Sequence, residues 1–254
     1  MIDAHCHLQD EKFAGKVTEV IGRAKEAGVV TMICNGSGVF NCREVLRIAE
    51  ENEGVWATVG IHPEEMGEIE GEKGEEVYRQ LLEMSKHPKV VAIGEAGLDY
   101  QEGSPTREKQ IELFKINIRL GKETGLPLVV HNRNANKDVE ELLKDYKYGG
   151  QLHCFVESEE FMKKMTDRGW YISLGGIVTF KKRDTLREVV KLVPEDKLLI
   201  ESDAPWLAPE PIRGQINEPA NVKIVAEAIA SVRNVTTDRI EEVTTANAKR
   251  LFKI

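Results

Sequence analysis

Ile2-Asp3-Ala4-His5-Cys6-His7-Leu8 opens the chain with two imidazoles separated by a single residue. Side chains of an extended segment alternate between faces, so His5 and His7 project together while Cys6 projects the other way. Two imidazoles on one face can grip one metal ion. The same pair also suits an ordinary hydrogen-bonded polar cluster, so its meaning depends on what converges on it. Further candidates recur: His62 in Gly60-Ile61-His62-Pro63, Glu95 in Gly94-Glu95-Ala96-Gly97-Leu98-Asp99-Tyr100, His131 after Val130, His153 in His153-Cys154-Phe155, and Asp203 in Glu201-Ser202-Asp203-Ala204-Pro205-Trp206.

Each candidate follows a short apolar run that reads as a buried strand. After the first, these runs are 29–33, 55–59, 90–93, 128–130, 151–152, 170–173 and 198–200. They are almost continuously apolar, as strands of a parallel sheet covered on both faces should be. Between them lie amphipathic helical stripes near 15–27, 41–52, 75–85, 137–144, 159–167 and 184–192, and two more close the chain at 222–232 and 237–252. The helix before the 128–130 strand has the clearest signals: Ser104 as N-cap, Pro105 at the first helical position and Gly125 beyond its end. Eight strands alternating with helices, joined by right-handed crossovers, favour an α/β fold of the (β/α)8 TIM-barrel type, a single domain over 1–254. No Gly-x-Gly-x-x-Gly follows the first strand, which argues against a dinucleotide fold. The charged stretch 64–76 reads as a solvated loop and helix start.

Composition limits the function. The chain has 254 residues and a formal net charge of −8, so no general basic face exists to hold long nucleic acid through many phosphates. The four cysteines, Cys6, Cys34, Cys42 and Cys154, have no Cys-x-x-Cys spacing and read as reduced thiols. No basic-then-apolar leader or membrane-length apolar run is present, which points to a cytoplasmic protein with no membrane contact. Nothing in the sequence asks for an obligate protein partner.

In a barrel the C-terminal strand ends form one rim where catalytic groups gather. Five of the six histidines fall at predicted strand ends; only His87 does not. Four imidazoles and two carboxylates suit two divalent cations better than one zinc, which would be left with no open position. Two ions about 3.5–4 Å apart need a bridging ligand, and Glu95 is best placed to supply it. His5, His7 and Asp203 then serve one ion and His131 and His153 the other, with water or hydroxide as the remaining bridge. That centre carries roughly +1, which attracts an anionic phosphodiester without excluding a neutral amide or ester. The donor set admits zinc, manganese, magnesium or iron.

These segments, with Arg213-Gly214-Gln215-Ile216-Asn217-Glu218-Pro219-Ala220-Asn221-Val222, resemble the TatD-type metal-dependent hydrolases, a DNase family of the amidohydrolase-like barrels. The matching motifs span almost the whole chain in the family's order. The resemblance implies His5, His7, Glu95, His131, His153 and Asp203 as ligands of two metal ions, and hydrolysis of DNA phosphodiesters, often from the 3′ end. It further implies that His62 and the loop carrying Arg213 and Asn217 contact the substrate phosphate. On this reading, water acidified by the ions attacks phosphorus in line, and Asp203 takes its proton. The alternative is hydrolysis of an amide, ester or aminoacyl bond at the same rim. Two departures stand out: Asn134 where an acidic residue is common, and Val156-Glu157 where Thr or Ser and Gly are usual. Substrate is expected to be DNA or a short single strand, held locally by Arg133, Lys181-Lys182-Arg183 and Arg213, with Phe180 and Trp206 free to stack on bases.

Overall fold

The computed structural model describes residues 1–65, 67 and 73–254. Its eight strands are β1 (Ile2–Cys6), β2 (Thr31–Asn35), β3 (Val55–Val59), β4 (Val90–Asp99), β5 (Leu128–Arg133), β6 (Gly150–Leu152), β7 (Tyr171–Leu174) and β8 (Leu198–Ile200). Each pairs in parallel with the next in sequence. The circle closes through a bridge between Cys6 and Ala204. There the Asp203 N–H donates to the His5 carbonyl at 2.9 Å and the His7 N–H to the Ala204 carbonyl at 2.7 Å. The closing seam therefore sets three of the candidate ligands side by side.

Helices α1 (Val17–Glu26), α2 (Val39–Glu51), α3 (Gly74–Met84), α4 (Arg107–Thr124), α5 (Asn136–Leu142), α6 (Glu159–Asp167) and α7 (Asp184–Leu192) return the chain between strands. α8 (Val222–Arg233) and α9 (Thr237–Phe252) complete the ring. Their apolar stripes, such as Val20, Ile21 and Ala24 of α1 or Leu113 and Phe114 of α4, are buried in one large core with strand residues such as Met32, Cys34 and Ala57. Inside the barrel, Ile33, Val91, Val129, Tyr171 and Leu199 pack with Leu251 and Phe252 of α9. Each such side chain contributes about 1.5–3 kcal/mol by leaving water. The rim residues are thus mounted on a scaffold packed on both sides of the sheet. Among the described residues, no helix is long and apolar enough to cross a membrane.

Two expectations change. β4 does not end at Ile93: it continues, wholly buried, to Asp99, with Asp99 registered opposite Arg133 of β5. The Gly-Glu-Ala-Gly sequence broke the apolar pattern, but the strand survives because the rim cluster satisfies Glu95. α4 begins at Arg107 with Thr106 at its N-cap, rather than after Ser104. Ser104 instead completes a turn, its N–H donating to the Gln101 carbonyl and its hydroxyl to Asp99. Of the charged stretch 64–76, residues 66 and 68–72 lie outside the described residues, and α3 starts at Gly74.

Candidate metal centre

Glu95 divides its two oxygens between two sets of imidazoles. Oε2 lies 3.2 Å from His5 Nε2 and 3.4 Å from His7 Nε2. Oε1 lies 2.7 Å from His153 Nε2, 3.1 Å from His131 Nδ1 and 3.4 Å from His62 Nε2. Asp203 joins the first set, with Oδ1 3.7 Å from both His5 and His7 Nε2. Residues from β1, β4, β5 and the loops after β3, β6 and β8 thereby meet at one rim.

The cluster reshapes its own titration. Burial pushes Glu95 up, but the charges of His153, His5 and His62 and a hydrogen bond from His131 hold it well below the usual carboxylate range. Asp203 is likewise held down against burial, chiefly by His7. His5, fully enclosed and facing His153, is pushed below the usual imidazole value. His7 goes the opposite way, to about 10, because hydrogen bonds to Asp203 and Glu95 outweigh burial. His5 Nε2 and His7 Nε2 lie 3.0 Å apart, so a proton on His7 is one that His5 accepts.

Groups behind the cluster orient it. His7 Nδ1 is 3.1 Å from the Asn35 carbonyl, which can only accept; Nδ1 therefore keeps its hydrogen, and the neutral ring carries its lone pair on Nε2. His131 is turned the other way, Nε2 donating to Asp99 Oδ2 at 2.9 Å and Nδ1 facing Glu95. Burial raises Asp99, but His131 and the Gln101 N–H pull it down to about 2. Glu201, fully buried, accepts from the Cys154 N–H and the Ser173 hydroxyl, both at 2.5 Å, and places Oε1 3.5 Å from His153 Nδ1. Asp3 accepts from the Ser202 N–H at 2.8 Å and hydroxyl at 2.5 Å, bracing the seam beside His5. Sequence reasoning missed these four. Asp99 was within reach, since Glu95, Gly97 and Asp99 alternate along one strand, and Asp3 and Glu201 lay inside recognised motifs; nothing marked Asn35.

The residues fit divalent cations. Ligand atoms of His5, His7 and Glu95 lie within 4.8 Å of one another, as do those of His62, Glu95 and His131, and those of His5, His153 and Glu201. Imidazole nitrogens with oriented lone pairs beside carboxylate oxygens are the donor chemistry of zinc, manganese and iron sites. His62, expected on the phosphate, is here part of the cluster, its ring edge-on to His131 at 4.7 Å between centroids.

Other expected contacts fall elsewhere. Asn217 is fully buried: its Nδ2 donates to the Ser202 carbonyl at 2.7 Å and the Trp206 carbonyl at 2.8 Å. Its Oδ1 accepts from the Glu218 N–H and Asn221 Nδ2. That amide latches the loop and has no atom to offer a phosphate. Arg213 lies over the Phe180 ring at 3.7 Å, so Phe180 is buried beneath it and is not free to stack on a base. It lines a cleft with Lys12, separated from the cluster by Trp206. Trp206 is 47 % exposed, with Lys12 Nζ 3.0 Å from its ring centroid. Of Lys181-Lys182-Arg183, only Arg183 lines a cavity at the cluster. Glu157 accepts from Asn136, and Asn134 adopts φ 56°, a left-handed conformation that asparagine tolerates.

A closed (β/α)8 barrel with imidazoles and carboxylates crowded on its C-terminal rim is the architecture of a metal-dependent hydrolase. Within that class the model of the TatD related DNase family matches residues 2–253, and the chain belongs to this family. It is 41 % identical to YabD of Bacillus subtilis (strain 168), an uncharacterized metal-dependent hydrolase, covering 100 % of this chain and 99 % of that protein. It is 33 % identical to the 3′-5′ ssDNA/RNA exonuclease TatD of Citrobacter rodentium (strain ICC168), covering 100 % and 98 %. The crystal structure of YjjV, a TatD homologue from Escherichia coli K12, superposes with a TM-score of 0.93 at 29 % identity, covering 100 % of this chain and 98 % of that one.

Proposed function

We propose that the protein is a two-cation phosphodiesterase that trims single-stranded DNA from its 3′ end in the cytoplasm. The observation that carries this reading is the division of Glu95 Oε1 and Oε2 between two imidazole sets, the arrangement a carboxylate shared by two ions requires. His5, His7 and Asp203 would hold one ion, and His131 and His153 the other. The named exonuclease of C. rodentium, similar over the whole chain, supports nucleic acid as the substrate class. Cys6, Cys34 and Cys154 remain thiols, which accords with a reducing compartment.

Divalent cations bound here would polarise a phosphoryl oxygen and acidify water. Asp203, held ionised and carrying a second oxygen, takes the proton of the attacking water. His62 stands on the Oε1 side, where its ring can donate to a non-bridging oxygen. Asp99 and Asn35 keep His131 and His7 in the tautomers that face inward. Trp206, at the cavity edge, offers an aromatic face to a base.

The test is a 5′-labelled single-stranded oligonucleotide incubated with chelator-stripped protein and added manganese, zinc or magnesium. A ladder shortening from the 3′ end is expected, with Glu95→Ala and Asp203→Ala each slower by about 1000-fold or more, several kcal/mol of barrier. Unchanged turnover in those variants, or hydrolysis confined to ester and amide panels, overturns the assignment.

A further inference from the structure

Two cavities of opposite charge meet at the cluster. One, of about 290 Å³, is lined beyond the candidate ligands by Asp10, Glu64 and Glu65, with no lysine or arginine among the described residues. The other, of about 310 Å³, is lined by Arg133 and Arg183 together with Asn132, Val156 and Ile177, and among the described residues its one carboxylate is Asp203. His131, His153 and Asp203 belong to both walls, so a phosphate held among them borders both spaces.

Resting on the exonuclease reading above, we propose that this asymmetry sets the strand's direction. The acidic cavity receives the terminal nucleoside and the basic cavity receives the upstream strand. A 3′-terminal nucleoside carries no phosphate beyond the scissile one, so it enters an acidic space without repulsion, whereas an internal position would push further phosphates against Asp10, Glu64 and Glu65. Upstream phosphates meet Arg133 and Arg183, neither of which is in an ion pair among the described residues. In the reaction, water oxygen bonds to phosphorus, the bond to the upstream 3′ oxygen breaks, and that oxygen takes a proton. The released nucleotide keeps its 5′-phosphate, and the shortened strand stays with the two arginines, its new 3′ end ready to advance.

A second observation comes from Asn132. Its Nδ2 donates to Asn136 Oδ1 at 2.6 Å, and Asn136 Nδ2 in turn donates to Glu157 Oε2 at 2.8 Å. Asn132 Oδ1 is buried and has no partner among the described residues. This relay, built on one of the departures from the family pattern, fixes an acceptor in the wall of the basic cavity, suited to a sugar hydroxyl or base amino group of the upstream strand.

The experiment compares kcat/KM for a dinucleotide and a twelve-mer, each with a 3′-hydroxyl, and for the twelve-mer with a 3′-phosphate. The intact protein should disfavour the 3′-phosphate by roughly tenfold, and Asp10→Asn combined with Glu64→Gln and Glu65→Gln should shrink that preference. Arg133→Ala with Arg183→Ala should cost about tenfold on the twelve-mer, mostly through KM, and less than about twofold on the dinucleotide. It should also reduce the salt slope by about 1.4 for two lost contacts. The double Lys variant should recover part of the loss. Equal losses on both lengths, or an unaltered 3′-phosphate preference while 3′ hydrolysis persists, overturn the orientation and leave the exonuclease reading standing. Absence of cation-dependent hydrolysis in the unmodified protein overturns both.

Discussion

Asp99 Oδ2 lies 2.9 Å from His131 Nε2, and that contact decides which nitrogen His131 turns toward Glu95. Asp99 is buried yet ionised, held at about 2 against burial by His131 and the Gln101 N–H. Asp99→Asn keeps the shape but removes the charge and lets the amide offer either atom. Outer partners of this kind are worth about 10–100-fold in metal affinity or activity. We expect a loss of that size in both, with the melting temperature of the metal-free protein shifted by only a few degrees. Full cation affinity in Asp99→Asn would reduce Asp99 to a partner of the Gln101 turn.

Protons and cations compete for the same nitrogens. In the metal-free protein His7 is pushed up to about 10 by Asp203 and Glu95 despite burial. Because the folded value is raised, the stability from this proton is complete below the unfolded imidazole value of about 6.5 and is lost as pH climbs through about 10. Ligation requires the neutral ring, so cation binding at pH 7 must release protons and must weaken as pH falls. Titration calorimetry in buffers of different ionisation enthalpy should show at least one proton released per protein. Affinity independent of pH between 6 and 8 would place the cation away from His7.

The barrel was legible because parallel strands buried on both faces read as apolar runs, and those runs are what the hydrophobic effect rewards. β4 read short for the same reason: Gly94 to Gly97 breaks the run, and hydropathy cannot see that Glu95 is buried among five imidazoles. Histidines at strand ends were legible as a set. Their orientation was not, since it depends on Asn35, Asp99 and Glu201, whose partners lie on other strands. Asn217 shows the opposite case. A polar residue in a loop reads as reaching outward, but Asn217 spends its whole amide on the chain.

Asn217 should behave as a latch. Removing its amide in Asn217→Ala strands the Ser202 and Trp206 carbonyls next to Asp203, at a cost of about 2–4 kcal/mol. In a chain of this size that lowers the melting temperature by about 5–10 °C. Thermal unfolding of the cation-loaded protein checks this. An unchanged melting temperature with a raised KM would instead return Asn217 to the substrate.

Gly97 is the position where the backbone leaves least room. Its φ is +154°, and a Cβ built there would stand 1.9 Å from the His131 carbonyl oxygen. No flexible side chain can yield, because the obstacle is the backbone of β5 at the residue that faces Glu95. Gly97→Ala must therefore part β4 from β5 at His131, combining a clash with backbone strain, and we expect a loss above about 4 kcal/mol together with failure to retain cation. Gly149→Ala is the control, since Gly149 has φ +71° with nothing within 4 Å of the added Cβ. Left-handed strain alone, about 1–3 kcal/mol, should apply there and cation content should stay intact. If the two variants unfold alike and both keep their cations, the close approach of Gly97 to His131 is not what holds the imidazole against Glu95.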